Sequence, residues 1–348
     1  MNNIRALLEK EEVETSAPCR IDMGGTLDLS TFYLPLRRFG PCTFNAALNL
    51  RTRVKLSPHT KGKLKITSRG FDPLEVDSDQ APFAHPLGLM LALATYFAAD
   101  GVHIQIDSSS PPRSALGGSS VAAVALVWAF AKVLNRAGQP MPAPEAVAGL
   151  AHAVEQSVAG VPCGVQDQLA AVYGGVNGWF WTAQPGGSLF QRQVLVSPAQ
   201  CLDFSRRLLV AYCGVPHISK DINGTWVREF VAGRHRGQWR QIVDYSRGFI
   251  QAIANGQYET AQALMNRETD IRVQLTPEVL DEVGGQLVAT ARQNHCGARF
   301  TGAGGGGCIW ALGDLAQIAT LRSAWAQVLS KREEAMILMT QVDPTGVL

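Results

Sequence analysis

A two-domain α/β protein is predicted from three observations. Strand-like alternation and helix-length apolar runs interleave along the whole chain. With 348 residues and 46% apolar content, the chain can fill more than one core. A compositional break at Ser197 to Asp203 supplies the boundary, giving domains 1–197 and 198–348. The formal charge is only +2, so nothing electrostatic argues for nucleic acid or an anionic membrane as partner. The seven cysteines are scattered and none forms a CxxC pair, which reads as reduced thiols in a cytoplasmic protein and excludes a disulfide framework or zinc site. The charged start, with Glu11, Glu12 and Glu14, lacks the apolar core of a signal peptide. The run Val121 to Leu134 is broken by Lys132 and short for a bilayer, so a soluble protein is expected.

Element by element, an early sheet is expected from Phe44 to Leu56, with Leu48, Leu50, Thr52 and Val54 on one face, and from Lys61 to Thr67 before the turn Arg69-Gly70. Pro86 to Ala99 has a helical pattern and Val102 to Ile106 reads as a strand. Residues 120 to 137 form a helix closed by Gly138, and a second helix runs from Pro144 to Val158. Trp179 to Phe190 suggests two strands about a turn at Pro185-Gly186-Gly187. In the second half, Leu208 to Cys213 is a buried strand. Asn223 to Asn255 is one long helix or two, with further helices at Gln257 to Gln274 and Pro277 to Asn294. The strand-like Cys308 to Leu312, a helix from Leu315 to Lys331 and a strand from Ala335 to Val342 complete the chain.

The helix at 120 begins after Ala115-Leu116-Gly117-Gly118-Ser119-Ser120. Small residues keep side chains off this backbone, so consecutive N–H groups can close around an anion at a helix N-terminus. Ser119 or Ser120 acting as an ordinary N-cap accounts for the same residues equally well. No lysine follows as a Walker loop requires. Asp167, between a glycine turn and an apolar run, is either an N-cap or a base beside a hydroxyl that attacks phosphorus. Glu155 sits in the last turn of an apolar helix, where the dipole disfavours an acid unless a cation is near. Arg20 can hold a neighbouring aspartate ionised only if it is buried. The run Gly302 to Gly307 allows close backbone approach to a ligand or to the 115–120 loop, or is a flexible linker.

Four segments in order resemble the motifs of the GHMP small-molecule kinases, over almost the whole chain. They are Pro18 through Asp28, Pro111 through Ser120, Cys163-Gly164-Val165-Gln166-Asp167-Gln168, and Gly297 through Cys308. The third is most similar to the sugar-kinase branch, with heptose 7-phosphate kinase, fucokinase and galactokinase. The resemblance implies an N-terminal domain of the ribosomal protein S5 domain 2-like type and a ferredoxin-like C-terminal domain, with ATP and substrate between them. It implies that Gly117, Gly118, Ser119 and Ser120 cradle the ATP phosphates and that Ser119 and Glu155 hold Mg2+. Asp167 and Arg20 are then catalytic, and Gly304, Gly305 and Gly306 close against the nucleotide. Gly25, Asp28 and Gln168 fall to the substrate. His217 and Lys220 lie where relatives contact substrate, although a solvated loop explains them as well.

The implied activity is phosphoryl transfer from ATP to a hydroxyl, at C1, of a sugar or sugar phosphate. A catalytically silent regulator of the same fold, or a kinase for a non-sugar alcohol, is the alternative, and a homodimer is allowed. The chain departs from the family pattern in three places. Ala115 replaces the first loop glycine and should need a negative φ; Gly118 stands where a hydroxyl residue is usual; the first motif is one residue short.

Overall fold

The computed structural model describes residues 3–160, 162–182, 187–216 and 222–348. Among them, eleven strands form two sheets. The first contains β1 (Val13–Met23), β2 (Cys42–Pro58), β3 (Lys63–Ser68), β4 (Leu74–Asp77), β5 (Val102–Ser108), β6 (Val176–Trp181) and β7 (Phe190–Val196). Its order is β4-β3-β5-β2-β6-β7, and β1 pairs with β2. The long β2 is the spine, paired with β5 through Thr52–Pro58 and with β6 through Cys42–Ala46. The β3–β5 pair is parallel, so the chain between them must cross over, which it does through β4 and the helix Gly88–Tyr96. The register of β1 on β2 shifts between Pro18 and Cys19, immediately before Arg20. Pro18 has no N–H to give a ladder, and such irregularities re-aim the side chains that follow.

The second sheet holds β8 (Leu208–Tyr212), β9 (Gly297–Phe300), β10 (Cys308–Leu312) and β11 (Met336–Leu338), all antiparallel, in the order β11-β8-β10-β9. Helices between β8 and β9 and between β10 and β11 make this the ferredoxin-like arrangement. The expected segment 223–255 is two helices, Ile222–Val231 and Arg236–Ala254. The helix expected from Pro277 starts instead at Glu282, because the Asp281 side chain accepts the Gly284 N–H and caps it there. The expected turn at Pro185-Gly186-Gly187 lies largely outside the described residues.

The helix Gly118–Asn135 is buried along most of its length and packs on β1 and β2. It is long and apolar enough to cross a membrane, but 67% of it lies inside the fold. Being apolar on every side, it is a central core helix. Gly138 takes φ +87° just past its end.

The two sheets share apolar residues across the join. Phe44 of β2 lies 5.0 Å from the Phe249 ring and 5.9 Å from Trp310 of β10. Leu27, Leu29, Phe32 and Leu36, early in the sequence, are buried with Trp226 and Trp239. Residues 341–348 return to the first sheet: Leu48 bridges Val342, Leu348 and Ser16 exchange backbone hydrogen bonds, and Arg51 binds Asp343 at 2.6 Å.

Candidate active site

A cleft of about 920 Å³ runs between the sheets. One wall is the start of the helix Gly118–Asn135. Gly117, with φ +81°, is its N-cap, and no side chain caps it. The Ser119 or Ser120 N-cap reading therefore fails, and the first N–H groups of the helix, which have no partner within it, lie where Gly117, Gly118, Ser119 and Ser120 line the cleft. This is the geometry of an anion cradle.

Ala115 has φ +60°, not the negative value expected of a non-glycine residue, and Arg113 has φ +53°. The left-handed region costs an alanine about 1–2 kcal/mol. Tertiary contacts hold it there: the Ala115 carbonyl accepts Arg20 Nη1 at 2.7 Å. A Cβ on Gly307 would lie 2.8 Å from Ala115 Cβ, so the glycine run passes directly against the loop. The residues of that run at the cleft are Gly302 and Ala303, and not Gly304, Gly305 and Gly306 as expected. Gly304 and Gly305 are turned onto Val279, where a Cβ on Gly304 would come within 2.5 Å of the Val279 carbonyl and the Gly305 N–H donates to it at 2.9 Å.

Asp167 faces the cradle. It lies in the first turn of the helix Gln166–Tyr173, whose N-cap is Val165, so the N-cap reading fails here also. Its carboxylate is gripped by Arg20, with Nε to Oδ1 at 2.8 Å and Nη2 to Oδ2 at 2.9 Å. Arg20 is 3% exposed, which meets the condition that it be buried. Burial pushes the Asp167 carboxyl above its usual range; Arg20 works against that rise without reversing it, and Asp22 adds to it. A Cβ on Gly117 would lie 3.1 Å from Asp167 Oδ2, so the acid and the cradle are neighbours.

Glu155 is buried, and its Oε2 accepts the Ser120 hydroxyl at 2.7 Å and Gln168 Nε2 at 2.6 Å. Burial raises its pKa, and these hydrogen bonds oppose the rise. Gln168 is fully buried away from the cleft, so it steadies Glu155 and does not face a substrate there as expected. Asp28 and Gly25 line the cleft. Asp28 Oδ2 accepts the Gln166 N–H at 3.0 Å, and burial pushes the carboxyl up to about 6. His217 and Lys220 lie outside the described residues.

The residues that sequence reasoning missed stand behind Arg20. Asp22, fully buried, accepts the Gly302 N–H at 2.7 Å, lies 3.6 Å from Arg20 Nη1 and takes Arg299 Nη1 at 3.3 Å. Arg299 in turn binds Glu268 at 2.9 Å. The available signal was a charged residue inside each of two apolar strands, since buried charges persist where they are paired.

A helix-terminal anion cradle facing a guanidinium-clamped carboxylate, in a cleft between two α/β units, is the architecture of a small-molecule kinase. Residues 85–175 match the model of the GHMP kinases N terminal domain and 249–331 that of the GHMP kinases C terminal, together half of the chain. The chain belongs to the GHMP kinase family and is a phosphotransferase. It is 25% identical over 306 residues to mevalonate kinase of Pyrococcus horikoshii, covering 79% of this chain and 83% of that protein. It is 42% identical over 117 residues to D-glycero-alpha-D-manno-heptose 7-phosphate kinase of Campylobacter jejuni, covering 33% and 28%. The crystal structure of Lactococcus lactis galactokinase complexed with galactose superposes with a TM-score of 0.74 at 17% identity, covering 99% of this chain and 98% of that one.

Proposed function

We propose that this kinase transfers the γ-phosphoryl group of ATP to a hydroxyl, at C1, of a sugar or sugar phosphate. The observation that carries the reading is the Asp167 carboxylate, held at both oxygens by Arg20 beside Gly117. An alcohol placed between acid and cradle would have its proton-accepting partner on one side and the phosphate-binding amides on the other. Asp167 orients and deprotonates that alcohol, Arg20 fixes the carboxylate, and the amides of 117–120 hold the phosphates. Asp28 is available to accept hydrogen bonds from the other hydroxyls. Residues 1–197 then form the nucleotide-binding domain and 198–348 the domain that closes the cleft.

The donor set also fits magnesium. Glu155 offers a buried carboxylate and Ser119 an exposed hydroxyl on the same cleft, both hard oxygen donors, and that ion needs few from protein. When bound, it would neutralise charge on the phosphates.

The test is ADP release with a panel of free and phosphorylated sugars. Turnover with one of them, lost on chelation and restored by magnesium, is the expected result. A second reading, a non-sugar alcohol as acceptor, is favoured by the similarity to mevalonate kinase over four-fifths of the chain. Turnover of mevalonate with no sugar active would establish it instead. Tight nucleotide and sugar binding with no ADP release would mark a silent regulator.

A further inference from the structure

We propose that Arg272 is a positioning residue for the acceptor alcohol, holding the 24–29 loop in a strained shape from a buried position in the second half of the chain. The proposal rests on the kinase reading above for what the loop contacts. The loop is the part of the first motif that is one residue short, and Asp28 is its last charged group.

Thr26 has φ +76°. A β-branched residue in the left-handed region is strained, and surrounding contacts must impose that shape. Here they come from far along the chain. Arg272 Nη2 donates to the Gly25 carbonyl at 2.6 Å and Nη1 to Thr26 Oγ1 at 3.3 Å. The Thr26 hydroxyl donates onward to Asn223 Oδ1 at 3.2 Å. A single guanidinium fork thus holds the residue before the strain and the strained residue itself.

Arg272 is itself immobilised. It is fully buried, its Nε donates to Glu268 Oε1 at 2.8 Å, and its guanidinium carbon lies 4.7 Å from the ring centres of both Trp226 and Trp239. The other oxygen of Glu268 binds Arg299, which reaches Asp22 at the end of β1. Charges of alternating sign therefore run from Asp167 through Arg20, Asp22, Arg299 and Glu268 to Arg272, and end on the loop that carries Asp28. Both walls of the acceptor site are tied to one rigid frame, as a precise site requires. A lysine keeps the charge but has no planar fork, and so cannot hold Gly25 and Thr26 together.

Two variants test this. Arg272→Lys keeps the buried charge, and Thr26→Val keeps the branched shape while removing the hydroxyl contact and leaving every buried ion pair in place. In each, KM for the acceptor is expected to rise about tenfold while KM for ATP stays within about twofold. A folded variant in which both KM values move together, or neither moves, would overturn the proposal, because a merely structural arginine alters the melting temperature without that split. If Arg272→Lys does not fold, Thr26→Val decides.

Hydrogen exchange needs no acceptor and separates this inference from the sugar reading. The Leu27 and Leu29 amides, which donate to Gly24 and Thr26 carbonyls, should exchange about tenfold faster in the variants while β2 amides hold their rate. Unchanged loop exchange defeats the proposal even if the sugar is found. A failed sugar screen on the unsubstituted protein counts against the substrate alone.

Discussion

The Asp28 carboxylate lies over the Cα of Gly164 so closely that a Cβ there would sit 1.7 Å from Oδ2. Only glycine lets the acid reach across the cleft wall to accept the Gln166 N–H and fasten the start of the helix that carries Asp167. Gly164→Ala is expected to expel Asp28 and cost about 1–2 kcal/mol, the scale of a lost helix cap. Denaturant unfolding measures the loss, and acceptor KM should rise with it. An unchanged midpoint would mean that the capping contact carries no weight.

Asp28 also sets a pH dependence. Its carboxyl stands at about 6 in the fold against an ordinary 3.8, because burial disfavours the charged form. The folded state therefore binds this proton more tightly than the unfolded chain. The associated stability is full below the ordinary value and is lost as pH rises through about 6. Acceptor affinity should move the opposite way, improving as the carboxylate ionises. Asp28→Asn is expected to remove both slopes, and a KM profile that keeps its inflection in that variant would assign it elsewhere.

Asp167→Asn retains the shape of the side chain and removes its capacity to accept a proton. A fall in kcat of about 10²–10⁴ is expected, the usual contribution of a positioned base. ATP affinity, read by calorimetry, should be nearly unchanged, since the cradle amides are untouched. Equal turnover in the variant would take Asp167 out of the mechanism.

At Ala115 the expected change is a gain. Glycine adopts a φ of +60° freely, so Ala115→Gly should raise stability by up to about 1 kcal/mol. Thermal unfolding reads it directly. A lowered melting temperature would show that the methyl group packed against Gly307 outweighs the backbone strain.

Local signals made part of this legible beforehand. The apolar run after Ser120 and the glycine at 138 located the central helix to within two residues at each end, because helix period and punctuation are written in adjacent residues. Arg20, Glu155 and Asp167 stood out as charges in apolar or glycine-rich company. The positive φ at Ala115 and the turning of Gln168 toward Glu155 were hidden, since both depend on what packs against them. The Arg272 contact with Gly25 spans 247 positions, and no periodicity in either segment encodes it. The split of 223–255 and the late start at Glu282 depended on local backbone and capping geometry that hydrophobic spacing alone does not fix.

The return of residues 341–348 to Ser16, Leu48 and Arg51 has a temporal side. During translation the strands of the seven-stranded sheet emerge before this strip, so the stretch of β2 at Ala47 and Asn49, between its pairings with β6 and β5, gains these backbone partners only when residues 341–343 follow. Removal of this strip would take away the backbone bonds to Ser16, Ala47 and Asn49 and the Arg51–Asp343 pair while leaving every cleft residue in the chain.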